Sequence, residues 1–304
     1  NLNKVLENAD KVLIHQKVRG KMDLNGKVVV ITGGGAGIGA AMARAMANAN
    51  ARHIVVTDIN YENAQAVADE VSGSAMLVDV ANEEEIKELA NAVEQQHGPI
   101  DLFCSNAGFV TNAGLEDTNE RITQMWEVHV MAHIYAARAV LPQMIANGGG
   151  YLLNTASAAG LLTQIGSLAY SVTKGAAISL AQWLAITHHH QGIRVSVLCP
   201  QAVRTDIIIN SPDAVPGKEA EWEEGGVASS DGILEPDLVA QECILAIQDE
   251  RFLVLPHRQV EDYIKYRAED MDRWLSGMRR FQDKLYEGND LPGDIIGLDR
   301  WTSL

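Results

Sequence analysis

Six short runs of consecutive apolar, largely β-branched residues punctuate the chain, at Val28–Ile31, His53–Thr57, Ala75–Val78, Ile100–Cys104, Tyr151–Asn154 and Ile193–Leu198. Runs without polar alternation read as strands covered on both faces, the pattern of a parallel sheet. Between them apolar positions recur at helical spacing, as over Glu83–Gln96 and Met125–Ile145. Strand and helix in strict alternation predict an α/β fold, a doubly wound parallel sheet with right-handed crossovers. Phe252–Leu255, following a helical stretch at Pro236–Ile247, adds a seventh strand at one edge. No boundary interrupts the pattern, so residues 24–257 form one domain.

Two segments lie outside it. In residues 1–23, Val5, Leu6, Ala9, Val12 and Leu13 fall at helical spacing and read as a short docking helix. In residues 258–304, Trp274, Met278, Phe281 and Leu285 make one apolar stripe on a charged helix. That stripe must be covered by its own domain, by another subunit, or by acting as a lid over a site.

The 304 residues, 47% of them hydrophobic, suffice for a large core. No apolar stretch reaches the length of a membrane span, and Asn1–Lys4 lacks a secretory profile, so the cytoplasm is the expected location. Three cysteines without metal-ligand spacing (Cys104, Cys199, Cys243) read as buried apolar residues in a reducing compartment. A net charge of -16 without a basic cluster excludes nucleic acid as a partner.

Chemistry enters at Thr32–Gly39, Thr-Gly-Gly-Gly-Ala-Gly-Ile-Gly, directly after the first apolar run and before a helix of small residues. Glycines let a phosphate approach the backbone, and the helix N-terminus supplies free N–H groups and a positive dipole end. An ordinary strand-to-helix turn would need fewer glycines. Asp58 ends the second strand 19 residues after Gly39, where its carboxylate can accept hydrogen bonds from both hydroxyls of an adenosine ribose. It would repel a 2'-phosphate, and Ile59 and Asn60 after it supply no cation, which favours NAD over NADP.

Tyr170 and Lys174 share one helix face at four-residue spacing, and Lys174 is the sole charged residue from Ser167 through Thr187. A lone ammonium in so apolar a stretch is costly unless something uses it. A phenol that must exchange protons near pH 7 needs its pKa lowered by about 4 kcal/mol of interaction, which a neighbouring cation can provide. Ser157, just past the fifth strand and 13 residues before Tyr170, can bring a second hydroxyl to the same place.

Together these residues resemble the short-chain dehydrogenase/reductase family over about residues 24 to 256. The Thr-Gly-x-x-x-Gly-x-Gly turn falls on Thr32, Gly33, Gly37 and Gly39, the adenine-contacting Asp on Asp79 before Val80, and Asn-Ala-Gly on Asn106, Ala107 and Gly108. Ser157, Tyr170 and Lys174 match the catalytic set, and Pro200 and Thr205 the positions that border the nicotinamide amide. The resemblance implies a Rossmann fold and NAD as cofactor. Gly35, Ile38, Ile59 and Val203 complete the cofactor contacts it implies. In the mechanism it implies, Tyr170 moves the hydroxyl proton, Ser157 holds the same oxygen, and Lys174 binds the nicotinamide ribose and lowers the tyrosine pKa. Hydride passes between substrate carbon and nicotinamide.

Three positions depart from the family pattern. His129 stands where the family carries an Asn that holds a relay water, and is read either as a catalytic substitute that keeps the relay or as a packed histidine. Ser105 replaces the first Asn of Asn-Asn-Ala-Gly, and Gln201 replaces the Gly after Pro200, narrowing the pocket. Phe109, Val110, Leu161, Gln164 and Ile165 complete the substrate candidates. His188–His190 reads as a helix end rather than a metal site, since consecutive helical residues point apart. Residues 207–232, acidic around Trp222, read as a loop or a lid over substrate.

The expectation is a dehydrogenase or reductase of a secondary alcohol or ketone with an apolar body. The alternative is an NAD-binding regulatory protein of the same fold with impaired turnover. The glycine spacing disfavours an epimerase or dehydratase. The Tyr170 helix, apolar nearly all round, implies a homo-oligomer, dimer or tetramer.

Overall fold

The computed structural model describes residues 22–207, 211 and 228–294. The helix expected in residues 1–23 lies outside them apart from its last two residues, as does most of the loop expected at 207–232.

Seven parallel strands form one sheet: β1 Val28–Thr32, β2 His53–Asp58, β3 Ser74–Leu77, β4 Leu102–Ser105, β5 Gly150–Thr155, β6 Ile193–Leu198 and β7 Leu253–Val254, in the order β3-β2-β1-β4-β5-β6-β7. Neighbouring β1 residues serve opposite cores. Val28 and Val30 join Phe103 and Leu152 under helices α3 (Glu83–His97), α5 (Ala132–Ala146) and α7 (Leu168–His188). Val29 and Ile31 join Leu102 and Leu153 under α1 (Gly37–Asn48), α2 (Tyr61–Glu70) and α8 (Pro236–Gln248). Burial on both faces is why the runs lack polar alternation. β3 departs from that expectation: it is an edge strand, none of its residues is fully buried, and Leu77 is 60% exposed.

The helix expected at Met125–Ile145 is not continuous. It begins as α4 (Asn119–Trp126), capped by the Thr118 hydroxyl, passes through a π-helical turn at Glu127–Met131, and resumes as α5. A π turn inserts a residue without changing hydrophobic periodicity much, so sequence spacing does not reveal it. The turn carries His129.

The strand order reverses between β1 and β4, which opens a crevice beyond their carboxyl ends. Past the short helix α6 (Ala158–Leu162) and α8, the chain closes over this end with a hairpin of α9 (Gln259–Glu269) and α10 (Met271–Leu285). The Asp270 carboxylate accepts from the Arg273 N–H and starts α10. No described helix is long and apolar enough to cross a membrane.

Candidate active site

A cavity of about 1490 Å³ runs from Asp58 and Asp79 past the glycine turn to Ser157 and Tyr170 and on to the hairpin. One small-molecule site occupies roughly 300–1,000 Å³, so this volume admits two ligands side by side.

The turn at its floor is shaped by what side chains would displace. A Cβ on Gly39 would stand 2.1 Å from the Gly33 carbonyl oxygen, and one on Gly33, at φ +59°, 2.7 Å from the Ala107 Cα. No side chain caps α1, whose N-cap is Ala36, so its first N–H groups are left for a ligand. An open helix start in a cradle that a Cβ would fill fits a pyrophosphate. The Asp58 Oδ2 accepts from the Gly35 N–H at 3.0 Å and Oδ1 from the Asn60 N–H at 3.0 Å, fixing the carboxylate beside the turn. Gly35 and Gly39, expected as cofactor contacts, shape the turn but do not line the cavity, whereas Gly33, Gly37, Ile38, Ile59, Asp79, Val80, Pro200, Val203 and Thr205 do.

Asn106 ties three loops together. Its Nδ2 donates to the carbonyls of Thr32 and Gly33, each at 3.2 Å, and its Oδ1 accepts from the Thr155 hydroxyl at 3.1 Å. This holds the ends of β1, β4 and β5 in one register, with Ala107 and Gly108 at the wall.

Ser157 caps α6, accepting from the Ala159 N–H at 3.1 Å. Gly160 lets α6 rest on α7, because a Cβ there would lie 2.5 Å from the Lys174 backbone carbon. That contact brings Ser157, Tyr170 and Lys174 to one wall. Burial pushes the Tyr170 phenol up, and the Ser157 hydroxyl hydrogen-bonded to it pulls it back. Lys174 is 3% exposed, its Nζ donates to the Thr155 carbonyl at 3.1 Å, and it lies 5.6 Å from the Tyr170 ring centre. Burial lowers the lysine to about 8, so it stays mostly charged at pH 7.

His129 is fully buried and does not line the cavity. Thr173 Oγ1 donates to the Ala169 carbonyl at 2.8 Å, which assigns the proton to His129 Nδ1, 3.0 Å from that oxygen. Nε2 then accepts the Phe109 N–H at 3.2 Å. Of the two readings of His129, relay group or packed histidine, this geometry matches the packed one, both ring nitrogens being engaged within the protein. Burial, with the Lys174 charge nearby, holds its pKa well below the usual histidine value, so it is neutral. His129→Ala is expected to cost about 3 kcal/mol of stability, from a cavity plus an unpaired N–H, and urea denaturation reads it.

Of the substrate candidates, Phe109, Val110, Gln164, Ile165 and Gln201 line the cavity. Leu161 does not: it packs toward the core and its carbonyl accepts from Arg267, leaving Leu162 at the wall. The Gln201 N–H donates to His257 Nδ1 at 3.2 Å. Tyr263, Trp274, Met278, Phe281 and Tyr286 of the C-terminal segment also face the cavity. The sequence displayed three of these as a stripe, without its target; Tyr263 and Tyr286 had no signal. His188 Nδ1 is bonded to Gln191 Oε1 at 2.6 Å, and no group of three His, Cys, Asp or Glu among the described residues could hold a metal.

A glycine cradle at the strand-order reversal, with a hydroxyl pair and a lysine on the wall beyond it, is an arrangement that suits a dinucleotide with a second small molecule beside it. Residues 27–215 match the short chain dehydrogenase family, and the chain belongs to it. It is 33% identical over 273 residues to mouse estradiol 17-beta-dehydrogenase 11, covering 83% of this chain and 89% of that one. It is also 33% identical over 232 residues to 2-keto-3-deoxy-L-fuconate dehydrogenase of Xanthomonas campestris, covering 75% and 76%. Its fold superposes on a Burkholderia phymatum short chain dehydrogenase/reductase in complex with NAD, with a TM-score of 0.73, 27% identity and coverage of 83% and 96%. Homologues are dehydrogenases acting on small molecules.

Proposed function

We propose that this chain is an NAD-dependent dehydrogenase or reductase of secondary alcohols or ketones with an apolar body. The convergence of Ser157, Tyr170 and Lys174 on the wall shared with the glycine cradle carries the reading. When bound, the dinucleotide accepts or donates the hydride. In alcohol oxidation Tyr170 Oη takes the hydroxyl proton, and the Ser157 hydroxyl holds the same oxygen. Lys174 keeps a positive charge beside the phenol and favours its anion. Reduction reverses the proton transfer. His129 is a positioning group, fixing the Phe109 backbone against α7.

Asp58 supports NAD over NADP, because a fixed carboxylate beside the turn meets a 2'-phosphate with like-charge repulsion of several kcal/mol. Asp58→Asn is expected to raise the NADP-to-NAD ratio of kcat/KM by about tenfold or more. An unchanged ratio would remove Asp58 from cofactor selection.

Assembly into a homo-oligomer belongs to the same reading. Val172, Trp183 and Ile186 stand 55%, 56% and 81% exposed on α7, an apolar surface suited to a second copy.

The test is formation of reduced nicotinamide from NAD or NADP across neutral secondary alcohols. Turnover preferring NAD supports the reading. A folded, NAD-binding protein without turnover on a broad panel favours the alternative, a regulatory protein that keeps the cofactor site.

A further inference from the structure

Among the long described helices α10 is the most one-sided, yet none of its residues is fully buried. Its apolar face, Trp274, Met278 and Phe281, borders the cavity that holds Ser157 and Tyr170 instead of a packed core. An apolar face turned to a cavity gains its burial from whatever fills that cavity. Three contacts fix this face relative to the site. Arg267 donates to the Leu161 carbonyl, the Tyr263 hydroxyl donates to Asp231 Oδ1 at 2.9 Å, and the Tyr286 hydroxyl sits over Gly166, where a Cβ would lie 2.7 Å from it.

We propose that the α9–α10 hairpin is the specificity wall of this site and selects uncharged, ring-bearing secondary alcohols over hydroxy acids and phosphorylated alcohols. The inference rests on the alcohol dehydrogenase reading and names its substrate class.

Two observations select the occupant. The first is the shape of the wall: the Tyr263 and Trp274 rings lie 6.4 Å apart at 41°, and Phe281 adds a third ring to the same lining. Aromatic faces reward flat rings beyond the area they bury. The second is charge. The charged residues lining the cavity are Asp58 and Asp79, at the end that suits the dinucleotide, and Glu127, Asp206 and Lys174. Lys174 is buried on the Thr155 carbonyl, and Arg204 and Arg258, on the surrounding loops, pair with Glu235 and Glu242. A substrate carboxylate or phosphate would therefore meet Glu127 and Asp206, with Lys174, already bonded to the Thr155 carbonyl, as the one cation of the described lining.

The probes are tetralol, a neutral ring-bearing alcohol, sec-butanol, a neutral short one, and mandelate, a ring-bearing hydroxy acid. Wild type is expected to favour tetralol over mandelate by about a hundredfold or more in kcat/KM. In Trp274→Ala the tetralol-to-butanol ratio of kcat/KM falls about tenfold or more, and Phe281→Ala moves it the same way. Mandelate turned over as well as tetralol, or a ratio unmoved in both variants, overturns the proposal. Binding is read separately, by tetralone quenching of NADH fluorescence on the NADH-loaded protein. Tetralone binding that weakens about tenfold in Trp274→Ala sustains the wall even where no alcohol is oxidised, an outcome that counts against the dehydrogenase reading alone. Equal binding to wild type and variant overturns the wall.

Discussion

Tyr170→Phe is expected to lower kcat/KM for alcohol oxidation by about a thousandfold, while NADH still titrates the protein. General acid–base catalysis by a placed side chain contributes about 10² to 10⁴ in rate, and no neighbour can take over the role. The Lys174 ammonium is directed at the Thr155 carbonyl, and both His129 nitrogens are engaged with Thr173 and Phe109. Ser157 can hold an alkoxide, but its hydroxyl is too weak an acid to exchange protons at neutral pH. Phenylalanine keeps the ring that faces His129 edge-on at 5.6 Å, so packing is retained and the missing oxygen is what the experiment reads. Stopped-flow traces with NAD and a neutral alcohol measure it. Oxidation that persists within a few-fold of wild type would take the proton transfer away from Tyr170.

Lys174→Met is expected to change activity and stability in opposite directions. Turnover falls by about a hundredfold or more as the charge beside the phenol disappears, yet the folded chain at pH 7 becomes more stable. The lysine titrates near 8 in the fold because burial penalises its charged form, against 10.5 when solvated. At 1.36 kcal/mol per pH unit the charge costs the native state about 3 kcal/mol wherever the pH lies below 8. The unfolded chain binds the extra proton between 8 and 10.5, so wild-type stability rises through that window and the cost vanishes above it. Losing the bond to Thr155 returns about 1 kcal/mol, leaving a net gain of about 2 kcal/mol at pH 7. Melting temperatures of both proteins should therefore approach each other as pH rises from 7 and cross near the top of that window. A variant that melts below wild type at pH 7 would show that Lys174 stabilises the fold as well as the chemistry.

What the chain disclosed beforehand follows from which interactions are local. β1, β2, β5 and β6 were legible because strands covered on both faces must be apolar at every position. Glycines at Gly33, Gly37 and Gly39 were legible because backbone proximity tolerates no other residue. The Tyr170–Lys174 pair was legible because helical spacing alone puts both on one face. The π turn at Glu127–Met131 was not, since it depends on hydrogen-bond register rather than side-chain type. The sequence therefore left His129 equally a relay group or a packed histidine, whereas its Nδ1 meets Thr173 of α7 and its Nε2 the Phe109 N–H. The exposure of β3 was hidden too, because an edge is defined by the absence of a neighbour. For the same reason Trp274, Met278 and Phe281 announced an apolar face without naming what it covers. Gly160, which brings α6 onto α7, reads as an ordinary glycine until the two helices are seen in contact.

That hairpin also separates two kinds of durability. The seven strands are locked between two layers of helices, so opening them means unfolding the domain. α10 shares no fully buried side chain with the body beneath it, and lifting it away leaves the sheet untouched. Local opening of this kind draws on the low end of a protein's stability spectrum. A melting curve that follows the strands therefore does not report on this wall, and the two are read by different measurements.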